Sequence, residues 1–267
     1  MRYFKGSLDI YQLHCRYQLY NVTKVVNDNK KTKISLIIPV FNEEQALEMR
    51  VKYICEYLKT VTSLDDFEIV VVNNGSTDKT QEILDIISKR FASVVPVYIK
   101  QRGLGLALKR GLIVAKFDCI MFVSIDLGFG AKFIKQSIDK YFEGFDLVLG
   151  SKGHKDSIYE APISRKMYSY IFNNVVKLIF DIKCSDTQGT FLISKKCRSE
   201  IIDMLDSPGP FFQTQVVIYA NKINARIFEL PVIYKAGSRK SKMNVVDAMQ
   251  IFLEVIKEYP NYKSKKK

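Results

Sequence analysis

The stretch Val70-Val71-Val72-Asn73-Asn74-Gly75-Ser76-Thr77-Asp78 is a β-branched apolar run that ends abruptly in small and polar residues. Residues 37–44 and 121–126 follow the same scheme. Short apolar runs of this kind are typical of parallel strands buried on both faces. Because ligands of an open α/β sheet bind outside the carboxyl ends of its strands, the polar residues after all three runs are expected to share one cleft. Their side chains can bind a ribose, a base and a metal-bound diphosphate.

The order of elements predicts an α/β fold with a mainly parallel central sheet flanked by helices. The first half alternates predicted strands (34–39, 68–73, 94–99, 119–125, 146–150) with predicted helices (43–60, 78–90, 103–116, 131–143). The second half is mixed, with predicted helices at 163–180, 210–221 and 244–258 and strands at 188–193 and 226–234. We therefore expect an N-terminal appendage and linker (1–33), an α/β half (34–150), a mixed half (151–260) and a basic tail (261–267).

Charge is the most informative feature of the composition. The 41 Lys and Arg residues outnumber the 28 Asp and Glu residues, which gives a formal net charge of +13 and favours an anionic partner. No nucleic-acid-binding motif accompanies this charge, so sugar nucleotides and lipid headgroups are the expected partners and nucleic acid is not.

Cysteine spacing and hydropathy indicate the state of the thiols and the location of the protein. The five cysteines are scattered without a C-x-x-C spacing and only two histidines are present, so we expect reduced thiols and no zinc site. No apolar run approaches the roughly 20 residues of a spanning helix, and no signal peptide is evident, so the expected location is cytoplasmic.

Eight short motifs occur in a fixed order between residues 34 and 244. They read PVFNEE at 39–44, NNGSTD at 73–78, RGLGLA at 102–107, IDL at 125–127, LGS at 149–151, SDTQGTF at 185–191, ELPV at 229–232 and SKMN at 241–244. In this order the chain resembles the family 2 glycosyltransferases with the GT-A fold, and among them the dolichyl-phosphate (polyprenyl-phosphate) mannose and glucose synthases.

That resemblance implies an inverting glycosyltransferase. It would move a hexose from UDP-glucose or GDP-mannose to a polyprenyl phosphate. The enzyme would be bound peripherally at the cytosolic face of a membrane, and a membrane-anchoring protein would be a further partner. Residues 34–150 would bind the nucleotide sugar and residues 151–260 the acceptor. The alternatives are transfer to a sugar hydroxyl, with Asp186 or Glu160 as base, and a GT-A module that binds ligands without catalysis.

The resemblance also implies a donor site at the strand ends. The residues that it assigns to donor binding are Pro39, Phe41, Glu43, Asn73, Asn74, Ser76, Gly103, Gly105, Ser124 and Asp126. The two glycines would allow close backbone approach, with the amides of the following helix facing a phosphate.

Several acidic positions of the family pattern are absent. Asn73-Asn74 replaces Asp-Asp, Ser124-Ile125-Asp126 replaces Asp-x-Asp, Gly128 replaces Gln or Ser, and Gln213 and Gln215 stand where related glucose synthases tend to have acids. Asp126 is then the one remaining ligand for Mg²⁺ or Mn²⁺. Either cations such as Arg102, Lys109, Lys152 or Arg239 hold the diphosphate with one weak metal contact, or catalysis has been lost.

The chain is poor in acids and rich in bases, which suits a phosphate acceptor because a phosphate is already anionic and needs no general base. By the resemblance, the acceptor phosphate would contact Lys152, Arg165, Ser169, Arg239 and Lys242, and the catalytic residues would be Asp126, Arg165 and Asp186. Asp186 is expected to orient Arg165, with turn capping and base catalysis as alternatives.

The predicted helix at 163–180 has a wide apolar face flanked by basic residues. This pattern suits a helix that lies in the membrane interface and holds the prenyl chain at the mouth of the cleft. The alternative is an ordinary buried helix that packs against residues 244–258.

Overall fold

A seven-stranded sheet forms the centre of the protein in the computed structural model, which describes residues 31–235 and 245–264. The strands of both sheets are β1 Thr32–Val40, β2 Leu64–Asn74, β3 Val94–Ile99, β4 Cys119–Phe122, β5 Leu147–Ser151, β6 Ile158–Glu160, β7 Phe191–Ser194, β8 Ile227–Pro231 and β9 Ile233–Lys235. The central order is β3-β2-β1-β4-β7-β5-β8, and β6 pairs with β9 in a separate sheet of two strands. Of the central strands, β7 alone is antiparallel to its neighbours. The predicted mainly parallel sheet is confirmed.

Helices cover both faces of this sheet. They are α1 Leu47–Thr60, α2 Thr80–Arg90, α3 Leu104–Val114, α4 Lys132–Phe142, α5 Ile163–Phe180, α6 Lys195–Ile201, α7 Phe211–Lys222 and α8 Val245–Ser264, with a 3-10 turn at Ile202–Met204. Within the described ranges, no helix combines the length and the apolar character needed to cross a bilayer.

The core consists of two apolar layers, one on each side of the sheet. Along β1, Ile37 packs into the layer that contains α3 and α7, whereas Leu36 and Ile38 pack into the layer that contains α1 and α4. Both sets are completely buried, which explains why β1 carries apolar side chains on both faces. A Cβ at Gly111 of α3 would lie 2.4 Å from the Ile37 side chain, so this glycine lets the helix pack directly on the strand.

The structure differs from the sequence predictions in several places. The strand expected at 119–125 ends at Phe122, and the strand expected at 188–193 begins at Phe191. The segment expected as one strand at 226–234 is split at Val232 into β8 and β9, which belong to different sheets. The three-residue strand β6 and the short helix α6 were not predicted. Helix α8 continues to Ser264 and includes Pro260, so residues 261–264 of the expected tail are helical. Residues 1–30, and Arg239 and Lys242 among the acceptor candidates, lie outside the described residues.

Candidate active site

The loops after β1 and β2 are hydrogen-bonded to each other, as expected for strand ends that share a cleft. Asn42 adopts a φ of +53°, a left-handed conformation that Asn tolerates well. Its backbone amide donates to the Ser76 hydroxyl at 3.0 Å, and its side-chain carbonyl accepts from the Thr77 amide at 2.8 Å. The two motifs therefore form one rigid rim of the cleft.

Glu43, a predicted donor-site residue, lies behind this rim. Its carboxylate is buried and accepts from the Arg50 guanidinium of α1 at 3.1 Å. Its backbone amide donates to the Thr80 hydroxyl at 2.8 Å. These contacts fix the entry of the chain into α1 and α2.

The two asparagines at the end of β2 hold neighbouring backbone. The side-chain carbonyl of Asn73 accepts from the Ser76 amide at 3.0 Å, and that of Asn74 accepts from the Gly103 amide at 2.8 Å. Both side chains are buried. Their carbonyl oxygens are therefore used to shape the loops around the cleft.

The amino end of α3 is occupied by the chain itself. The Pro208 carbonyl accepts from the amides of Gly105 at 2.9 Å and Leu106 at 3.4 Å. A Cβ at Gly105 would lie 2.0 Å from the Ser207 carbonyl oxygen, so the close approach is that of the 207–209 loop. The expectation that these helix amides face a phosphate is wrong, because a backbone carbonyl has taken them.

Phe41 and Arg102, which the sequence analysis predicted to contact the donor, form an aromatic–cation contact. The Arg102 guanidinium lies 4.0 Å from the centre of the Phe41 ring, which follows β1 directly. Pro39 lies within β1 opposite Val72 of β2. Lys109, one of the cations considered for the diphosphate, instead donates to the Leu205 carbonyl.

The loop after β4 presents Asp126 to solvent. The Ser124 carbonyl accepts from the Leu127 amide at 2.9 Å, and Leu127 has a φ of +47°. The Ser124 hydroxyl is 3.4 Å from the Gly128 amide, from which it accepts. This tight turn exposes the Asp126 carboxylate, so that it can meet a ligand.

The available ligand side chains limit what kind of metal site this loop could form. Throughout the described part of the chain, no three His, Cys, Asp or Glu side chains cluster in a way that could hold a metal ion. Mg²⁺ is often bound by one or two carboxylates together with substrate phosphates. Asp126 thus suits a divalent ion that arrives with a diphosphate, and the surrounding residues do not form a cage of protein ligands.

Lys152 and Asp186 form a buried ion pair after β5 and before β7. Their charged atoms are 2.8 Å apart, and the Lys152 ammonium also donates to the Gln188 carbonyl at 2.8 Å. The Asp186 carboxylate accepts from the amides of Lys152 and Gln188, each at 3.0 Å. Burial alone would raise the pKa of Asp186, but the Lys152 charge and these hydrogen bonds outweigh it and lower that pKa below its ordinary 3.8.

The expected role of Asp186 is corrected by this geometry. Its ion-pair partner is Lys152, so the prediction that it orients Arg165 is wrong. The bond from the Gln188 amide is the turn cap that the sequence offered as an alternative. A carboxylate with a lowered pKa and several hydrogen bonds is a poor proton acceptor, which argues against Asp186 as a base.

Arg165 and Ser169 lie one turn apart on the inner face of α5. Arg165 is half-buried with its guanidinium 5.9 Å from the centre of the Tyr234 ring. The Ser169 hydroxyl accepts from Asn173 at 3.4 Å, and the Asn173 carbonyl accepts from the Thr187 amide at 3.0 Å. This face of α5 is thereby tied to the turn that contains Asp186.

Three aromatic residues near Arg165 were missed from the sequence. Tyr159 of β6, Tyr234 of β9 and Phe129 after β4 form an aromatic cluster, with the Tyr234 ring centre 5.8 Å from each of the other two. No motif marks these residues, since β6 and β9 are only three residues long. Their one sequence signal is the proximity of Tyr234 to the ELPV motif.

Two further side chains, Glu229 and Gln213, support the turn at 185–188. The Glu229 carboxylate of the ELPV motif accepts from the amides of Ser185 at 2.7 Å and Asp186 at 3.2 Å. Gln213 of α7 donates to the Gly189 carbonyl at 2.8 Å. These side chains therefore hold the turn from two sides.

Comparison with known proteins supports the resemblance to family 2 glycosyltransferases. The family model of glycosyl transferase family 2 matches residues 35–197. The chain is 25% identical to glycosyltransferase AglD of Haloferax volcanii over 75% of its length, and 29% identical to the prophage bactoprenol glucosyl transferase homolog of Escherichia coli K12 over 68%. The matches span only 32% and 58% of those two proteins.

Solved structures share the fold. The glucosyl-3-phosphoglycerate synthase of Mycobacterium tuberculosis, in complex with Mn²⁺, UDP and phosphoglyceric acid, superposes with a TM-score of 0.67 at 17% identity, covering 93% of this chain and 86% of that one. The expected GT-A architecture is thereby confirmed. The family match covers well over half of the chain, and the protein belongs to glycosyl transferase family 2.

Proposed function

We propose that this protein transfers a hexose from a nucleotide sugar to a polyprenyl phosphate with inversion at the anomeric carbon. The observation that carries the proposal is the state of the acceptor side, where the buried acid Asp186 is locked to Lys152 while Arg165 has no carboxylate partner among the described residues. A hydroxyl acceptor needs a base, whereas a phosphate needs only a cation. The E. coli relative, whose name states bactoprenol glucosyl transfer, supports the same acceptor class.

In this reaction a phosphate oxygen of the lipid forms the bond to the anomeric carbon as the bond to the nucleoside diphosphate breaks. The rim built by Asn42 and Ser76 positions the nucleotide. Arg102 attracts the donor diphosphate, and Arg165 attracts the acceptor phosphate. No proton has to be removed from the acceptor, so rate enhancement comes from positioning and from charge.

A divalent ion would enter with the donor. Asp126 is the residue that would hold it, and the ion would neutralise charge on the leaving diphosphate. Structural neighbours were solved with Mn²⁺ or Mg²⁺ and UDP, which supports a requirement of this kind.

We further propose attachment at the cytosolic face of a membrane, and the exposed face of helix α5 supports the membrane contact. Its inner face packs on α8, where Tyr168 and Phe172 both contact Phe252. Its other face is apolar and exposed, and repeats at helical spacing through Ile163, Met167, Tyr170, Ile171 and Leu178. Such a face, with Lys166 and Lys177 beside it, suits the headgroup region of an anionic leaflet.

The direct test is transfer of labelled sugar from UDP-glucose and from GDP-mannose into organic-extractable polyprenyl phosphate. We expect label in lipid with one donor, a loss of about 100-fold or more in Asp126→Ala and Arg165→Ala, and little change in Arg110→Ala, an exposed arginine of α3. Addition of EDTA measures the metal requirement separately.

Two outcomes would replace the proposal. Transfer to a soluble sugar instead of lipid, abolished in Glu160→Gln, would establish the hydroxyl-acceptor reaction. Nucleotide binding by calorimetry without transfer to any acceptor would establish a ligand-binding module without catalysis.

A further inference from the structure

The aromatic cluster of Phe129, Tyr159 and Tyr234 is built from three separate parts of the chain. Tyr159 and Tyr234 face each other across the two-stranded sheet, because they are register partners in β6 and β9. Phe129 belongs to the loop after β4 and is anchored on Phe133 of α4, with ring centres 5.5 Å apart. A cluster assembled from distant segments and left half-exposed is unlike a core contact, because a core cluster would be closed to solvent.

Each ring of the cluster has a cation near it. Arg165 lies 5.9 Å from the Tyr234 ring centre, Lys166 lies 5.9 Å from that of Tyr159, and Lys152 lies 5.9 Å from that of Phe129. Lys152 is committed to Asp186 and Gln188. Arg165 and Lys166 have no carboxylate partner within the described ranges, so their charge is available to an anion.

The phenol hydroxyls are also available. Neither the Tyr159 nor the Tyr234 hydroxyl is hydrogen-bonded to another residue in the part of the chain that the structure describes. Burial raises the pKa of Tyr159, although Arg165 and Lys152 act in the opposite sense, so its hydroxyl remains a proton donor near neutral pH. A half-buried phenol hydroxyl without a partner gains a hydrogen bond when an acceptor oxygen is placed within its reach.

The cluster borders the donor side of the cleft. A Cβ at Gly128 would lie 3.3 Å from the Tyr234 ring and 3.8 Å from the Asp126 carboxylate. The Tyr234 ring therefore contacts the same loop that presents Asp126. An anion held at the cluster would approach a donor diphosphate near that loop.

We propose that Tyr159 and Tyr234 are positioning residues for the acceptor and bind its phosphate together with Arg165. The two hydroxyls donate to phosphate oxygens while the guanidinium supplies charge, and the rings contact the first carbons of the apolar group esterified to that phosphate. This inference deepens the proposed function and rests on it. It selects phosphate esters of apolar alcohols over inorganic phosphate and polar phosphate esters.

The test combines steady-state kinetics with binding. In Tyr159→Phe and Tyr234→Phe we expect the KM for polyprenyl phosphate to rise about 10-fold or more, as for the loss of a hydrogen bond to a charged group, while the KM for the nucleotide sugar stays within 2-fold. Tyr98→Phe at the far edge of the sheet is the matched control, because its hydroxyl donates to Asp85 of α2. Unchanged acceptor KM in both variants would overturn the proposal.

Selectivity gives the second readout. Farnesyl phosphate should inhibit the wild type more strongly than glycerol 3-phosphate, and Tyr234→Leu should reduce that preference while thermal melting checks that it folds. If the wild type transfers no sugar to lipid, the proposed function fails, and calorimetric binding of farnesyl phosphate still tests the cluster. Equal binding by wild type and by the two Phe variants would then refute it.

Discussion

The side-chain amide of Gln215 links two carboxylates in a buried hydrogen-bond network. Its amide nitrogen donates to the carboxylates of Asp206 and Glu258, each at 2.7 Å, and its carbonyl accepts from the Ser207 amide at 2.9 Å. An acid at this position, which the family resemblance implies for related glucose synthases, would place a third carboxylate between two others.

We therefore expect Gln215→Glu to lower the free energy of unfolding by about 3 kcal/mol, because it replaces two donated hydrogen bonds by repulsion. Urea denaturation followed by circular dichroism measures the change. Gln81→Glu, in the exposed first turn of α2, is the matched control and should change stability by less than about 0.5 kcal/mol. A similar loss in both variants would contradict this account.

Asp186 predicts a pH dependence of stability. Because its pKa is lower in the folded protein than its ordinary value of 3.8, its ionised form stabilises the fold above that pH. The contribution is lost as the pH falls below 3.8 through the folded-state pKa. Asp186→Asn should therefore destabilise the protein at pH 7 and flatten the fall in melting temperature between pH 5 and pH 2. Parallel wild-type and variant curves would show that another group carries the acid sensitivity.

At the scale of elements, the amino end of α3 depends on a glycine that contacts another loop. The 207–209 loop packs on Gly105 and is held from behind by Ser207, whose hydroxyl donates to Glu254 of α8 at 2.5 Å. Gly105→Ala would gain helix propensity of up to about 1 kcal/mol but must displace a backbone carbonyl 2.0 Å from the new Cβ.

We expect the clash to prevail and Gly105→Ala to lose about 1–3 kcal/mol of stability. Gly209→Ala in the same loop is the control, because its Cβ would lie 3.8 Å from the Glu254 carboxylate, at ordinary contact distance. Chemical denaturation measures the free energy of unfolding of the two variants. Equal stability would mean that the 207–209 loop moves to accommodate the new Cβ.

These elements also mark the limits of sequence reasoning. The strands β1 and β2 were predictable because continuous apolar runs have few alternatives, and the shared rim of Asn42 and Ser76 followed from their parallel direction. The partner of Asp186 was not predictable, since Lys152 and Arg165 are both cations near the same cleft and only packing separates them. Tyr159 and Tyr234 escaped notice because strands of three residues carry no periodic signal.

At the scale of the whole molecule, an exposed apolar helix face belongs to a strongly basic chain. The exposed face of α5 includes Met167 and Leu178, whose relative exposures are 59% and 87%, in a chain with a formal net charge of +13. An apolar face adds binding energy by insertion between lipid headgroups, while Lys and Arg near an anionic leaflet add about 1 kcal/mol each.

Met167→Asp combined with Leu178→Asp should weaken co-sedimentation with vesicles containing phosphatidylserine about 10-fold or more, because two charges would have to enter the apolar region of the interface. Met49→Asp is the matched control, since this methionine of α1 is 65% exposed on a different helix. Raising the salt concentration should weaken binding by wild type and variants alike, because screening acts on the basic residues and leaves insertion unaffected. Equal binding by the double variant and the Met49 control at high salt would assign the membrane contact to charge alone, and would remove α5 from the proposed interface.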